Sequence, residues 1–408
     1  MARTFTWERA PFEPCPQCSS QTLGFLTVRG KAMALRCTEC RYTINVPLPE
    51  LNKATIYLDQ FVFSAIFKMK GGGRTPLGKQ GFYEELEPLL RRVVLLQQAI
   101  LPHSDVHSSE TIVFEDARGL REAYEGLGGD VSLKSTHDVE ANQVFAYATA
   151  FRDGGEPVLQ LTPDQILDTD WNEWLPEMRI ALNTDYSVFA AGIRRDRDHG
   201  FAALKGVFDS WAHESPTFHD LLRRELRFGA HRRAALAHVM MRMAQAHADI
   251  DVDEILNASM EPIWREFRLL VSFFGGDKSE AGEAEAVRRV GECWDWPRFR
   301  EMQFHKISAY LFAALGRRVA MGQKLFTRGI MNDIRAIAAY APYVDAMFVD
   351  RECAELLNEE PLKSALSYRA RIFSYSNADA FLDYLRALEA NASDEVRGCA
   401  KRIYGVDG

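Results

Sequence analysis

Four cysteines near the amino terminus limit the local fold more than any other residues: Cys15-Pro-Gln-Cys18 and Cys37-Thr-Glu-Cys40, with 18 residues between the pairs. Each Cys-x2-Cys turn aims two sulfurs at one point, and four thiolates at this spacing suit tetrahedral Zn²⁺. The stretch between the pairs reads as a hairpin turning near Arg29-Gly30-Lys31, and residues 42–47 as a further short strand. A unit this small cannot close a core alone, so metal binding would supply its folding energy. A redox dithiol is the competing reading, but that motif lies between a strand and a helix, and neither pair does. Residues 1–50 are therefore expected to form a zinc ribbon, full in ligand and structural, able to present a face to RNA, DNA or protein. Cys293, Cys353 and Cys399 are scattered, and a total of seven is unlike a secreted disulfide framework.

With 49 basic and 57 acidic residues the chain carries a net charge of −8. That argues against a protein coated in base for non-specific nucleic-acid binding. It leaves room for a local basic groove, and an acidic excess is what clustered carboxylates produce. No apolar stretch approaches the ~20 residues of a membrane span, and the start lacks the apolar core of a secretory leader. A cytoplasmic protein without membrane contact is expected, and 408 residues suggest two or three domains.

After the ribbon, strands and helices alternate. Thr55-Ile-Tyr-Leu58 reads as a buried strand ending at Asp59, and 82–100 has helical spacing. Residues 101–107 read as strand or loop, and Ser108-Ser-Glu110-Thr111 leads into a helix, with another over 138–152. Residues 166–300 look nearly all helical, carry six tryptophans and show no internal repeat. Beyond 300, helices over 304–320 and 330–340 precede Ala346-Met-Phe-Val349, a buried strand ending at Asp350. A short helix, a strand over 370–375 and a helix over 378–390 follow. Such alternation predicts a parallel sheet covered on both faces.

In an open parallel sheet, ligands bind beyond the carboxyl ends of the strands, where Asp59 and Asp350 are expected. Two carboxylates there repel unless a hard divalent cation lies between them. Such a cation activates water and stabilises charge developing on a phosphate. Tyr57-Leu-Asp59-Gln, together with Asn332-Asp333-Ile-Arg and its continuation to Asp350, resembles a PIN-like nuclease domain. In that family one acid closes the first strand, a second lies on a helix, a third opens a later helix and a fourth ends the next strand. The resemblance matches Asp59 to the first position and Asp333 and Asp350, 17 residues apart, to the third and fourth. Glu110 is the choice for the second, with Glu115, Asp116 and Glu140 competing. Asp345 either joins the metal site or caps the strand. Each acid also has a plain structural reading as a helix cap or first-turn charge.

The resemblance covers 51–165 and 300–408 and departs from a compact PIN domain in the 135 residues 166–300 that separate the halves. It also departs at Asp350-Arg-Glu-Cys. The implied architecture is α/β: a zinc ribbon over 1–50, and a PIN-like parallel-sheet domain over 51–165 and 301–408 with an α-helical insertion over 166–300. The implied function is metal-dependent phosphodiester hydrolysis, with RNA as first choice, and Mg²⁺ or Mn²⁺ held by Asp59, Glu110, Asp333 and Asp350. From Met302 to Asn332 there is no acid, and Lys306, Arg317, Arg318, Lys324 and Arg328 lead into Asp333. The last four are expected to bind phosphates. His103 and His107 flank the expected site, and either could donate to a phosphate. Arg223, Arg224, Arg227, Arg232 and Arg233 read as a solvated face or an RNA contact. No phosphate-binding Gly-Lys-Ser/Thr loop is present. The rival readings are a DNA nuclease and a non-catalytic module binding nucleic acid or protein through the ribbon and helical insertion. A homo-oligomer or a regulatory protein partner is compatible with all of these.

Overall fold

Seven strands form two separate sheets in the computed structural model, which describes residues 11–406 apart from 72, 74–75, 77, 115, 130, 169–170, 175–189, 276–278 and 324–328. The first sheet is antiparallel: β1 (Leu23–Arg29), β2 (Ala32–Cys37) and β3 (Thr43–Pro47), in that order. Gly30, at φ +55°, makes the β1–β2 turn in a conformation that favours glycine. The second sheet is wholly parallel: β4 (Ala54–Leu58), β5 (Ala99–Ile100), β6 (Ala346–Phe348) and β7 (Arg371–Phe373), ordered β5-β4-β6-β7.

The helices follow in chain order. Between β4 and β5 lie α1 (Gln60–Lys70) and α2 (Gln80–Leu95). After β5 come α3 (Asp105–Ile112), α4 (Ala117–Gly128) and α5 (Thr136–Asp153). Six helices then succeed one another: α6 (Ala190–Glu214), α7 (Phe218–Glu225), α8 (Phe228–Asp249), α9 (Val252–Met260), α10 (Pro262–Phe274) and α11 (Glu280–Trp294). α12 (Gln303–Ala320) and α13 (Ile330–Tyr340) lead into β6. α14 (Arg351–Asn358) and α15 (Leu362–Ala365) lead into β7, and α16 (Ala378–Ala390) and α17 (Asp394–Tyr404) close the chain.

Strand periodicity decides which layer each residue joins. Ile56, Leu58, Ala346 and Phe348 face a core built with α1, α2, α4 and α16, while Tyr57 and Met347 face another built with α12 and α13. Both faces are thus buried, which is why these strands read as continuous apolar runs. The helices over 190–294 divide their packing. Phe208, Trp211, Phe218 and Leu221 of α6 and α7 join the core beside α12. α8, α10 and α11 make a third core that takes in Val144 and Tyr147 of α5. α6 and α7 approach α12 closely: a Cβ on Gly316 would lie 2.6 Å from the Trp211 ring and 2.8 Å from Leu221 Cδ1.

The ribbon does not stand alone. Leu23, Met33 and Leu35 share a fourth core with Val396, Ala400 and Ile403 of α17. Glu13 receives Arg402 Nε at 2.7 Å and Nη2 at 3.2 Å. No described helix is long and apolar enough to cross a membrane.

Two local boundaries differ from expectation. The helix read over 82–100 ends at Leu95, because Ala99 and Ile100 pair with Ala54 and Thr55. α3 begins at Asp105, since Ser104 and His107 form a reciprocal capping box with histidine in the place usually held by Glu or Gln. Glu110 therefore lies in the second half of that helix and does not open it.

Candidate functional site

Two groups of charged or ligating side chains stand out. In the ribbon, Cys15 Sγ is 3.5 Å from Cys40 Sγ, and Cys18 Sγ is 3.7 Å from Cys37 Sγ. A tetrahedron of ~2.3 Å Zn–S bonds has edges of about 3.8 Å, so these separations fit the metal. All four cysteines are free thiols, with ligand atoms mutually within 4.8 Å. The Thr22 hydroxyl, 3.1 Å from Cys37 Sγ, is the chief cause that brings the Cys37 thiol down to about 5. Ser20, 2.9 Å from Cys18 Sγ, lowers that thiol in the same way. Thiolate is the ligating form, and the cluster is compatible with zinc.

The second group lies at the carboxyl edge of the parallel sheet. Leu58 and Phe348 are register partners, and the Asp59 amide donates to the Phe348 carbonyl at 3.0 Å. Asp59 and Asp350 therefore leave adjacent strands, which are ~4.8 Å apart. Asp59 occupies the N-cap position of α1, but its side chain makes no capping hydrogen bond. Asp350 does cap α14, accepting from the Cys353 amide through Oδ1 at 2.9 Å.

Two helices bring further acids to this edge. α13 precedes β6, and Asp333 in its first turn acts on Tyr57 of β4 and on Cys353 of α14, the elements that flank Asp59 and Asp350. α3 is fixed by His107, which is fully buried. Its Nε2–H donates to the Leu58 carbonyl at 2.7 Å, its Nδ1 accepts from the Ser104 amide at 3.0 Å, and its ring stacks on Tyr57 at 5.0 Å. Burial brings the imidazole down to about 4. One turn later Glu110 accepts from Asn332 Nδ2 at 3.2 Å, linking α3 to α13.

The electrostatics register this gathering. Burial first, then Glu110 and Asp350, raises the Asp59 carboxyl to about 7. Cys353, beneath the site, is pushed well above its ordinary value by burial, then by Asp333, Asp350, Asp59 and Glu352. Glu352, half-buried on α14, is itself raised by burial and by Asp350. It is a fifth carboxylate that the sequence reading passed over. Its signal was its place two residues beyond Asp350, at the start of a helix.

Other expected members fall elsewhere. Asp345 lies at the opposite, amino edge of β6: Oδ2 accepts from the Thr55 amide at 2.8 Å and Oδ1 from Arg369 Nε at 2.9 Å. It caps the strand start and does not join the acids. Arg317 and Arg318 both engage Glu359, while Lys324 and Arg328 lie outside the described residues. Asp116 caps α4, Glu140 pairs with Arg232, and Glu115 lies outside the described residues. His107 has both ring nitrogens satisfied within the protein and has none left for a phosphate. Arg224, Arg232 and Arg233 are held by Glu214, Glu140 and Asp295, while Arg223 stays largely exposed beside Asp220.

An all-carboxylate donor set suits a hard divalent cation. The spacing is looser than in the ribbon: among the described residues, only the four cysteines bring three or more ligand atoms all within 4.8 Å. No family model, curated protein or solved structure matches the chain. The resemblance to PIN-like nucleases therefore rests on the residues named above.

Proposed function

We propose that the chain is a metal-dependent phosphodiester hydrolase, acting on RNA, with a PIN-like acidic site and a structural zinc ribbon. The observation that carries this reading is geometric: Asp59 and Asp350 leave adjacent, register-paired strands at one edge of the parallel sheet, with Glu110 tied to Asn332 of α13, and burial with these neighbours pushes the Asp59 carboxyl up. Acids from separate elements are held against their mutual repulsion, which is the arrangement a bound cation relieves. Asp59, Glu110, Asp333 and Asp350 would hold Mg²⁺ or Mn²⁺, which when bound supplies a Lewis acid and lowers the pKa of water. Asp59 and Asp350 form the centre from adjacent strands. Glu110, oriented by Asn332, and Asp333 flank it from their helices. Asp350 commits Oδ1 to its helix and keeps Oδ2 for a ligand.

A non-catalytic binding module is the second reading, favoured by that cap and by the pairing of Arg317 and Arg318 with Glu359. The test is cleavage of labelled RNAs and single- and double-stranded DNAs with Mg²⁺, Mn²⁺ or chelator, comparing wild type with Asp59→Asn and Asp350→Asn. Asparagine also caps helices, so the second variant keeps α14. We expect metal-dependent RNA cleavage that falls at least 100-fold in both variants. Cleavage of DNA alone would make it a DNA nuclease. Binding without cleavage, equal in all three proteins, would favour the binding module.

A further inference from the structure

We propose that the amino edge of the parallel sheet carries a second site, for a nucleoside monophosphate, on the far side of the sheet from the acids. A crevice of about 750 Å³ opens there, against the starts of β4, β6 and β7 and the end of α16. That size falls within the ~300–1,000 Å³ of small-molecule sites. Its charge differs from that of the chain. Lys53, Arg369 and Arg371 line it against Asp164 and Asp345, an excess of one positive charge on a protein of net charge −8; the buried Lys53 ammonium already donates to the Glu173 carbonyl at 2.6 Å, so Arg371 is the cation the argument uses.

The acids lining the crevice are partly answered already. Asp345 holds Arg369 through Oδ1 and the Thr55 amide through Oδ2. Arg371 is exposed, makes no ion pair among the described residues, and places its guanidinium carbon 5.5 Å from the centre of the Tyr384 ring. A guanidinium braced on an aromatic face is pre-set for two-point contact with a phosphate. Its planar donors exceed what the ring can take.

The remaining lining suits a base and sugar. Tyr384 and Trp171 are half-buried and offer aromatic surface. Asn52 and Asn391 line the crevice with side chains that have no hydrogen-bond partner among the described residues. Gln98 gives its Nε2 to the Leu96 carbonyl at 2.9 Å, leaving Oε1 open. Amides supply both donors and acceptors for base edges. The acidic carboxyl edge repels a free phosphate, whereas this edge attracts one.

The test is calorimetric titration of the full chain in divalent-free buffer with AMP, GMP, CMP and UMP, and with inorganic phosphate and adenosine as probes of each half. Wild type is compared with Arg371→Gln, Asn391→Ala and Asp59→Asn. We expect saturable binding of at least one nucleotide, at least tenfold weaker in Arg371→Gln, weaker in Asn391→Ala and unchanged in Asp59→Asn. Absence of binding to all four nucleotides would overturn the proposal, as would equal affinity in Arg371→Gln. Inorganic phosphate binding as tightly as every nucleotide would also overturn it, since no nucleoside would then be recognised. Loss in Asp59→Asn would move the ligand to the acidic edge and also overturn the site. No cleavage enters these readouts, so they stand or fall apart from the hydrolase reading.

Discussion

Replacing Asp59 with asparagine should stabilise the protein in divalent-free buffer at pH 7.5. The Asp59 carboxyl is raised from 3.8 to about 7 in the folded state. Between those values the folded chain holds a proton that the unfolded chain has released. Stability therefore falls as pH rises through this window and is level above it. A shift of about three units at ~1.36 kcal/mol each sets a ceiling near 4 kcal/mol. Part of that cost is shared across the cluster, so about half, ~2 kcal/mol, is expected at Asp59. Asparagine keeps the shape without the charge. It should be more stable than wild type by ~2 kcal/mol at pH 7.5, with the gap closing toward pH 4. The pH profile of wild type alone is not diagnostic, because His107 opposes it. With its pKa brought from 6.5 to about 4, His107 makes stability rise with pH across that range. The difference between the two proteins cancels this contribution and that of the ribbon. Urea titrations at pH 4.5, 6.0 and 7.5 would measure it. A few millimolar Mn²⁺ at pH 7.5 should reverse the order, since only wild type keeps the full donor set. A variant less stable than wild type at pH 7.5 without divalent ions, or a gap that does not change with pH, would refute the account.

Two further outcomes follow from the packing and the ribbon. Purified protein should contain one zinc per chain by elemental analysis, and Cys37→Ser should lose it while amide-exchange protection drops across β1–β3 and α17; retention of full zinc would count against a four-thiolate site. Gly316→Ala should cost ~1–3 kcal/mol by overpacking, despite alanine's helix preference of about 1 kcal/mol, because its Cβ would meet Trp211 at 2.6 Å; an unchanged denaturation midpoint would show that α6 can yield.

Asp59 and Asp350 were legible because each ends a short apolar run, and a parallel strand buried on both faces has no other way to look. The ribbon was legible for a similar reason, since thiol spacing is local. Its seat on α17 was not, because a core shared by Leu35 and Val396 leaves no mark at either position alone. Glu110 was chosen on a helix start that the structure moves to Asp105, yet it reaches the acids through His107 and Asn332. Histidine at the third position of a capping box is an unusual signal, and its second role, holding Leu58, is wholly tertiary. Asp345 was left open between two roles, and five residues of strand decide the matter by placing it at the other edge. The basic run before Asp333 looked available in sequence, because Glu359, which engages Arg317 and Arg318, lies about 40 residues downstream.

The central strand pair has a consequence for how the protein comes into being. Thr55 and Asp345, joined at the start of β4 and β6, are 290 residues apart. At ~5–20 residues per second of synthesis, β4 waits about 15–60 s for its neighbour. During that interval Asp59 has no Asp350 beside it, and α3 has no Asn332 to hold Glu110. A nascent chain halted before residue 346 can thus carry the ribbon cysteines and the first acid but not the assembled cluster. Whatever chemistry the acids perform is withheld until β6 and Asp350 have been made.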